Sequence, residues 1–118
     1  KDRLFAEEYY TMLVSYVYDN EGGPEIYLDN DKLRRGAYWG IARVAEVFPD
    51  LIEKEIEIVK ERIEIEEDPV IIANMIRIFK ILSVEGMEIF YQRHEADERE
   101  VEVYENGELK MRMIKELV

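Results

Sequence analysis

Few side chains in this sequence could do covalent or acid–base chemistry. There is one histidine, His94, and there are two serines, Ser15 and Ser83; cysteine is absent and carboxylates are in large excess. A nucleophile–histidine–acid triad would have to bring Ser15 or Ser83 beside His94, and no spacing supports that. The lack of cysteine removes disulfides, thiolate metal sites and thiol nucleophiles together. His94 and Glu98 would share a helix face at i, i+4, but two ligands do not close a metal site, so His94 is expected to be solvent-exposed near a helix end. Asp19-x-Glu21 and Asp29-x-Asp31 begin like calcium loops, yet neither has the glycine at the sixth position or the glutamate at the twelfth. Gly22-Gly23 lacks the lysine and helix start of a phosphate loop. Glutamates are paired throughout, but spacing alone cannot raise a carboxyl pKa. The reading is of a non-catalytic chain with no catalytic residue, metal or cofactor assigned.

Charge narrows the partners. The 118 residues carry a formal charge of −12, which opposes a nucleic-acid backbone or an anionic membrane as partner. The most basic segment, residues 31–50, sets Lys32, Arg34, Arg35 and Arg43 against Asp31, Glu46 and Asp50, too small an excess for a phosphate track. No apolar run reaches the roughly 18–20 residues that span a membrane, and no signal-peptide pattern is present. A cytoplasmic, single-domain protein spanning 1–118 is therefore expected. Lys1 runs straight into a helical pattern, as in a fragment with residues missing upstream. Abundant Glu and Ile, with Gln only at position 92, is the balance found in proteins from hot environments.

The residues best suited to recognition lie in one stretch. Trp39 has Arg35 four residues before it and Arg43 four after it, so two guanidinium groups flank the indole on one helix side. Tyr38 extends that ridge. Two readings stand: Trp39 packs on a neighbouring helix while the arginines reach outward, or the ridge is a recognition patch, since Trp and Arg dominate binding hot spots. Tyr9, Tyr10, Tyr16, Tyr18, Tyr27 and Tyr38 concentrate in the first third. They form either an aromatic groove or half-buried rings with wet hydroxyls.

The elements that would position these residues follow from periodicity. A first helix is predicted over about 2–18 on the stripe Phe5, Tyr9, Met12 and Tyr16. A turn at 19–24 and an extended piece at 25–28 lead to the organising helix, 31–48. There Asp31 is the N-cap, and Leu33, Gly36, Ala37, Gly40, Ile41, Val44, Val47 and Phe48 are expected to face inward, the small residues admitting a close neighbour. Pro49 ends that helix and starts another over 49–65, with Ile52, Ile56, Val59 and Ile63 inward and a Glu57–Lys60 pair outside. Asp68-Pro69 starts a helix over 69–83 that is apolar almost all round, hence the most buried. A shorter helix over 85–96 turns Met87, Phe90 and Tyr91 inward. The period then changes to two around Asn106-Gly107, the signature of a β-hairpin over about 100–113, with Tyr104 opposite Leu109 and Val103 opposite Lys110. The ribbon is expected to lie on the helices with one edge exposed.

Sliding Asp31 onto Asp68 lays Leu33 on Val70, Gly36 on Ala73, Ile41 on Ile78, Arg43 on Lys80 and Val44 on Ile81. With the motif Asp31…Leu33-Arg34-Arg35-Gly36-Ala37…Ile41-Ala42, the chain resembles HEAT-like repeat proteins over roughly residues 31–95. More narrowly, it is similar to the short prokaryotic proteins with phycobilisome-lyase-type repeats. The resemblance implies a mostly α fold, an α-α superhelix of antiparallel helix pairs, finished here by the C-terminal hairpin. It also implies an interaction scaffold. The second copy departs at Ile71, Ile72 and Asn74, which stand where Arg34, Arg35 and Ala37 stand in the first. About three repeats are normally needed, so the first helix and the hairpin, or a second subunit, are expected to cap the stack. A single His94-Glu95 pair is similar to those of a di-iron HEAT-repeat hydroxylase, whose chemistry uses several. The expected function is a protein–protein interaction scaffold binding an acidic segment at Arg35, Tyr38, Trp39 and Arg43. The alternatives are an accessory domain of an enzyme that takes a small acidic ligand or positions a catalytic partner, and a structural homodimer.

Overall fold

A computed structural model of the chain describes Glu7, Glu8, residues 31–53 and residues 56–118. Glu7 and Glu8 are helical; the rest of the 2–18 helix, the early tyrosines, Ser15 and the 19–28 connection lie outside the described residues. The fold is mostly helical with an antiparallel hairpin at the C-terminus. In chain order come α1 (Asp31–Val47), α2 (Pro49–Glu53), α3 (Ile56–Arg62), α4 (Pro69–Ile81), α5 (Glu88–Gln92), β1 (Glu100–Glu105), β2 (Glu108–Met113) and a last 3-10 turn, Ile114–Glu116. Among the described residues, no helix is long and apolar enough to cross a membrane.

Helix α4 is the centre of the core. Ile71, Ile72, Ala73, Asn74, Met75, Ile76, Ile78 and Phe79 are all buried, as its nearly uninterrupted apolar run predicts. Its start follows the Asp-Pro signal: the Asp68 carboxylate accepts the amide protons of Val70 (2.9 Å) and Ile71 (3.2 Å), and Pro69 has no proton to satisfy. Buried Asn74 satisfies its amide by donating to the Val70 carbonyl at 2.8 Å.

Helix α1 packs along α4, and the ion pairs between them fix its direction. Arg34 and Arg35 at the start of α1 reach Glu66 and Asp68 at the start of α4, while Glu46 near the end of α1 reaches Arg77 near the end of α4. The two helices therefore run the same way. The hairpin lies against both of them, with Val101, Val103 and Ile114 buried. Its register is the expected one, Tyr104 opposite Leu109 and Val103 opposite Lys110. Asn106 and Gly107 both have positive φ, 50° and 83°, as a two-residue primed turn requires.

Four expectations need correction. The inward face of α1 is rotated by roughly 75°, at 100° per residue: Arg34, Tyr38, Ala42 and Ala45 are buried, whereas Leu33, Gly36 and Val47 are exposed. Apolar periodicity leaves the charged Arg34 off the inward stripe, but Glu66 neutralises it inside. The 49–65 helix is described on either side of residues 54–55, as α2 and α3, and ends at Arg62 rather than 65, with residues 63–65 in a turn; Ile52 and Val59 are buried and Lys60 meets Glu57 at 3.3 Å, as expected. Helix α4 ends at Ile81 rather than 83. There Ser83 adopts φ 52°, and the Ser83 and Val84 amides donate back to the carbonyls of Lys80 and Phe79, a glycine-type cap built on serine.

The fourth correction is α5, which covers Glu88–Gln92 instead of 85–96. Gly86 enters at φ 82°, and beyond Gln92 the chain turns to meet Asp97. Met87 and Phe90 are buried and Tyr91 half-buried, as expected. Phe90 meets Phe79 edge-on at 5.8 Å between centroids.

Candidate functional site

Three sides of α1 have distinct neighbours. One side carries Ala37, Ile41 and Val44 into the core. A second meets β1, where the Trp39 indole N–H donates to the Glu102 carbonyl at 3.2 Å. The third carries Leu33, Gly36, Arg43 and Val47, all of them exposed. Leu33 is 51% and Val47 52% exposed, unusual for aliphatic side chains on the longest helix described. A Cβ added to Gly36 would meet nothing within 4 Å. Among the described residues no close contact accounts for a glycine that costs about 1 kcal/mol in a helix interior.

The ridge expected from the sequence is only partly assembled. Arg35 is held by Asp68, its Nη2 2.7 Å from Oδ2 with Asp31 at 3.8 Å, and keeps about a third of its side chain exposed. Trp39 is half-buried, one edge tied to the hairpin, and Arg43 is exposed. Tyr38 is fully buried and offers no surface; it leaves the ridge because its neighbour Trp39 takes the boundary position one residue on. Trp39 packs on the hairpin, and it lies beside the exposed Gly36 and Arg43 on α1.

Sequence reasoning missed the clamp that orients this surface. Arg34 makes a two-pronged bond to Glu66, Nε to Oε1 and Nη2 to Oε2, both 2.9 Å, with the two side chains 5% and 0% exposed. Glu66 Oε2 also accepts the Asp68 amide proton at 3.1 Å. The tandem Arg34-Arg35 and the spaced Glu66-x-Asp68 were the available signals. Asp68 could be read as a cap, but not as a partner of a helix more than thirty positions away.

The other candidate for chemistry is His94. It is not solvent-exposed as expected: its side chain is 13% exposed, edge-on to Phe90 at 5.4 Å, with Nδ1 3.1 Å from Asp97 Oδ2. Because an ionised carboxylate only accepts, Nδ1 carries the proton of that bond. Helix α5 has already ended, so His94 and Glu98 do not share a helix face. Among the described residues no group of three or more His, Cys, Asp or Glu side chains is placed to hold a metal.

Asp97 ties this corner together. Hydrogen bonds from the Arg99 guanidinium hold its carboxyl well below the usual carboxylate range, with His94 and the Arg99 amide adding to the effect. Its folded pKa is depressed, so its contribution to stability is fully present above the unfolded value of about 4. The contribution is lost as pH falls from there through the folded value. In urea titrations from pH 6 downward, Asp97→Asn should be less stable than the wild type near pH 6 and show a shallower decline below about pH 4. Parallel acid limbs would contradict this role.

Comparison with known proteins returns nothing: no protein-family model, curated protein or solved structure matches the chain.

Proposed function

We propose that the chain is a non-catalytic protein-binding module of HEAT-like helix pairs, and that the exposed side of α1 takes an acidic, amphipathic segment of another protein. The observation that carries this reading is the strip Leu33, Gly36, Arg43 and Val47. Its spacing is that of one helix face, and it places aliphatic side chains in water beside an uncrowded glycine. Lys32 and Arg43 are exposed on the same side and Arg35 lies at its edge, so a cationic strip runs along a molecule of net charge −12. That contrast selects an acidic partner. The common direction of α1 and α4 supports the repeat reading, since equivalent helices of stacked repeats run the same way.

Trp39 borders the strip and is the only tryptophan, so its fluorescence reports on occupancy. Titration with an acidic helical peptide bearing leucines on one face should give a saturable emission shift. Arg43→Glu should weaken that binding by about tenfold or more. Arg93→Glu, at the end of α5 where Arg93 pairs with Glu64, should leave it unchanged. No shift, or equal binding of a basic peptide of the same pattern, overturns the proposal.

A further inference from the structure

The hairpin turn joins the two residues whose amide chemistry is least protected by side-chain bulk. Asn106 and Gly107 are both exposed, and glycine puts no Cβ beside its own amide nitrogen. One carboxylate holds both: Glu46 Oε2 accepts the Asn106 amide proton at 2.8 Å, and Oε1 accepts that of Gly107 at 3.4 Å. Glu46 is itself steadied by Arg77 Nη2 at 3.1 Å.

We infer that Asn106 is a site of spontaneous deamidation, and that Glu46 sets its rate by keeping the turn closed. In the reaction the Gly107 amide nitrogen loses its proton to water or hydroxide and attacks Asn106 Cγ. The new N–Cγ bond closes a five-membered succinimide, while the Cγ–Nδ2 bond breaks and the nitrogen leaves as ammonia after taking up a proton. Water then opens the ring at either carbonyl, giving aspartate or isoaspartate, with no change of oxidation state. Glu46 opposes the first step in two ways. An amide anion at Gly107 would face its carboxylate, and its bonds to both amides restrain the rotation that brings nitrogen to Cγ. Reaction then requires a local opening of the turn.

The product changes the fold locally. Isoaspartate adds a methylene to the backbone of a two-residue turn, which no longer fits its primed geometry. Either product places a new carboxylate beside Glu46, Glu105 and Glu108. The hairpin should then loosen from α1 at Glu46, and with it the Glu102 carbonyl that accepts from Trp39.

The test is to age the full chain at mildly alkaline pH and follow Asn106 by peptide mass mapping, with isoaspartate separated chromatographically. Glu46→Ala should react about tenfold faster than wild type and approach the rate in urea. Ile52→Ala, which destabilises the core at a fully buried residue and leaves the Glu46 bonds to the turn in place, should stay near the wild-type rate under native conditions. Equal rates for wild type and Glu46→Ala overturn the inference. So does an acceleration in Ile52→Ala matching that of Glu46→Ala, or failure of Asn106 to react even in urea.

Discussion

Replacing Glu66 with alanine should lower the unfolding free energy by about 3–5 kcal/mol, the range for breaking a buried ion pair from one side. The carboxylate is fully buried and accepts from Arg34 at both oxygens and from the Asp68 amide. Its loss takes from a guanidinium that is itself 5% exposed the carboxylate it faces, and that desolvated cation dominates the cost. Urea titration measures the change, with an unchanged m value showing that the same surface unfolds. Removing both charges together, as in Arg34→Met with Glu66→Leu, should recover most of the loss, because neither buried charge is then stranded. If Glu66→Ala costs under about 1 kcal/mol, the value of an exposed pair, the clamp between the starts of α1 and α4 is not as described.

The second large effect concerns which side of α1 is buried. Tyr38→Ala should destabilise by about 3–5 kcal/mol, the loss usual for a large aromatic side chain removed from a core, since Tyr38 is fully buried. Leu33→Ala and Val47→Ala should each cost well under about 1 kcal/mol, because half of each side chain is already in water and little apolar area is lost from the interior. A sequence reader would rank these the other way, with Leu33 and Val47 in the core and Tyr38 on the contact ridge. Equilibrium unfolding of the three variants separates the two arrangements.

That reversal shows where the sequence stops being informative. Helix α4 could be placed because Asp68-Pro69 announces its start by local chemistry and its run is apolar on every side, so no face had to be chosen. The hairpin register followed from the positive φ that Asn106-Gly107 alone accommodates. Helix α1 offers two faces of similar polarity, and the choice rests on whether Arg34 finds a buried counter-charge. Glu66 supplies it from a distant segment that no periodicity names. The ends of α4 and α5 are hidden from local sequence for related reasons. Ser83 takes the left-handed cap usually left to glycine, and Asp97 draws the chain out of helix to satisfy Arg99 and His94. Of the candidate surface, Arg43 and Trp39 could be picked out by residue type. Leu33, Gly36 and Val47 read as interior by residue type, and the structure exposes them.

The account turns on the exposed side of α1, and single cysteines test it directly because the chain has none of its own. Cysteines placed one at a time at Leu33, Gly36, Arg43 and Val47 should react with a thiol reagent nearly as fast as in the unfolded chain. At Ala37, Ile41 and Ala45 they should be protected under native conditions. Protection at Leu33 and Val47 with rapid labelling at Ala45 would put the strip inside the protein and remove the proposed partner surface.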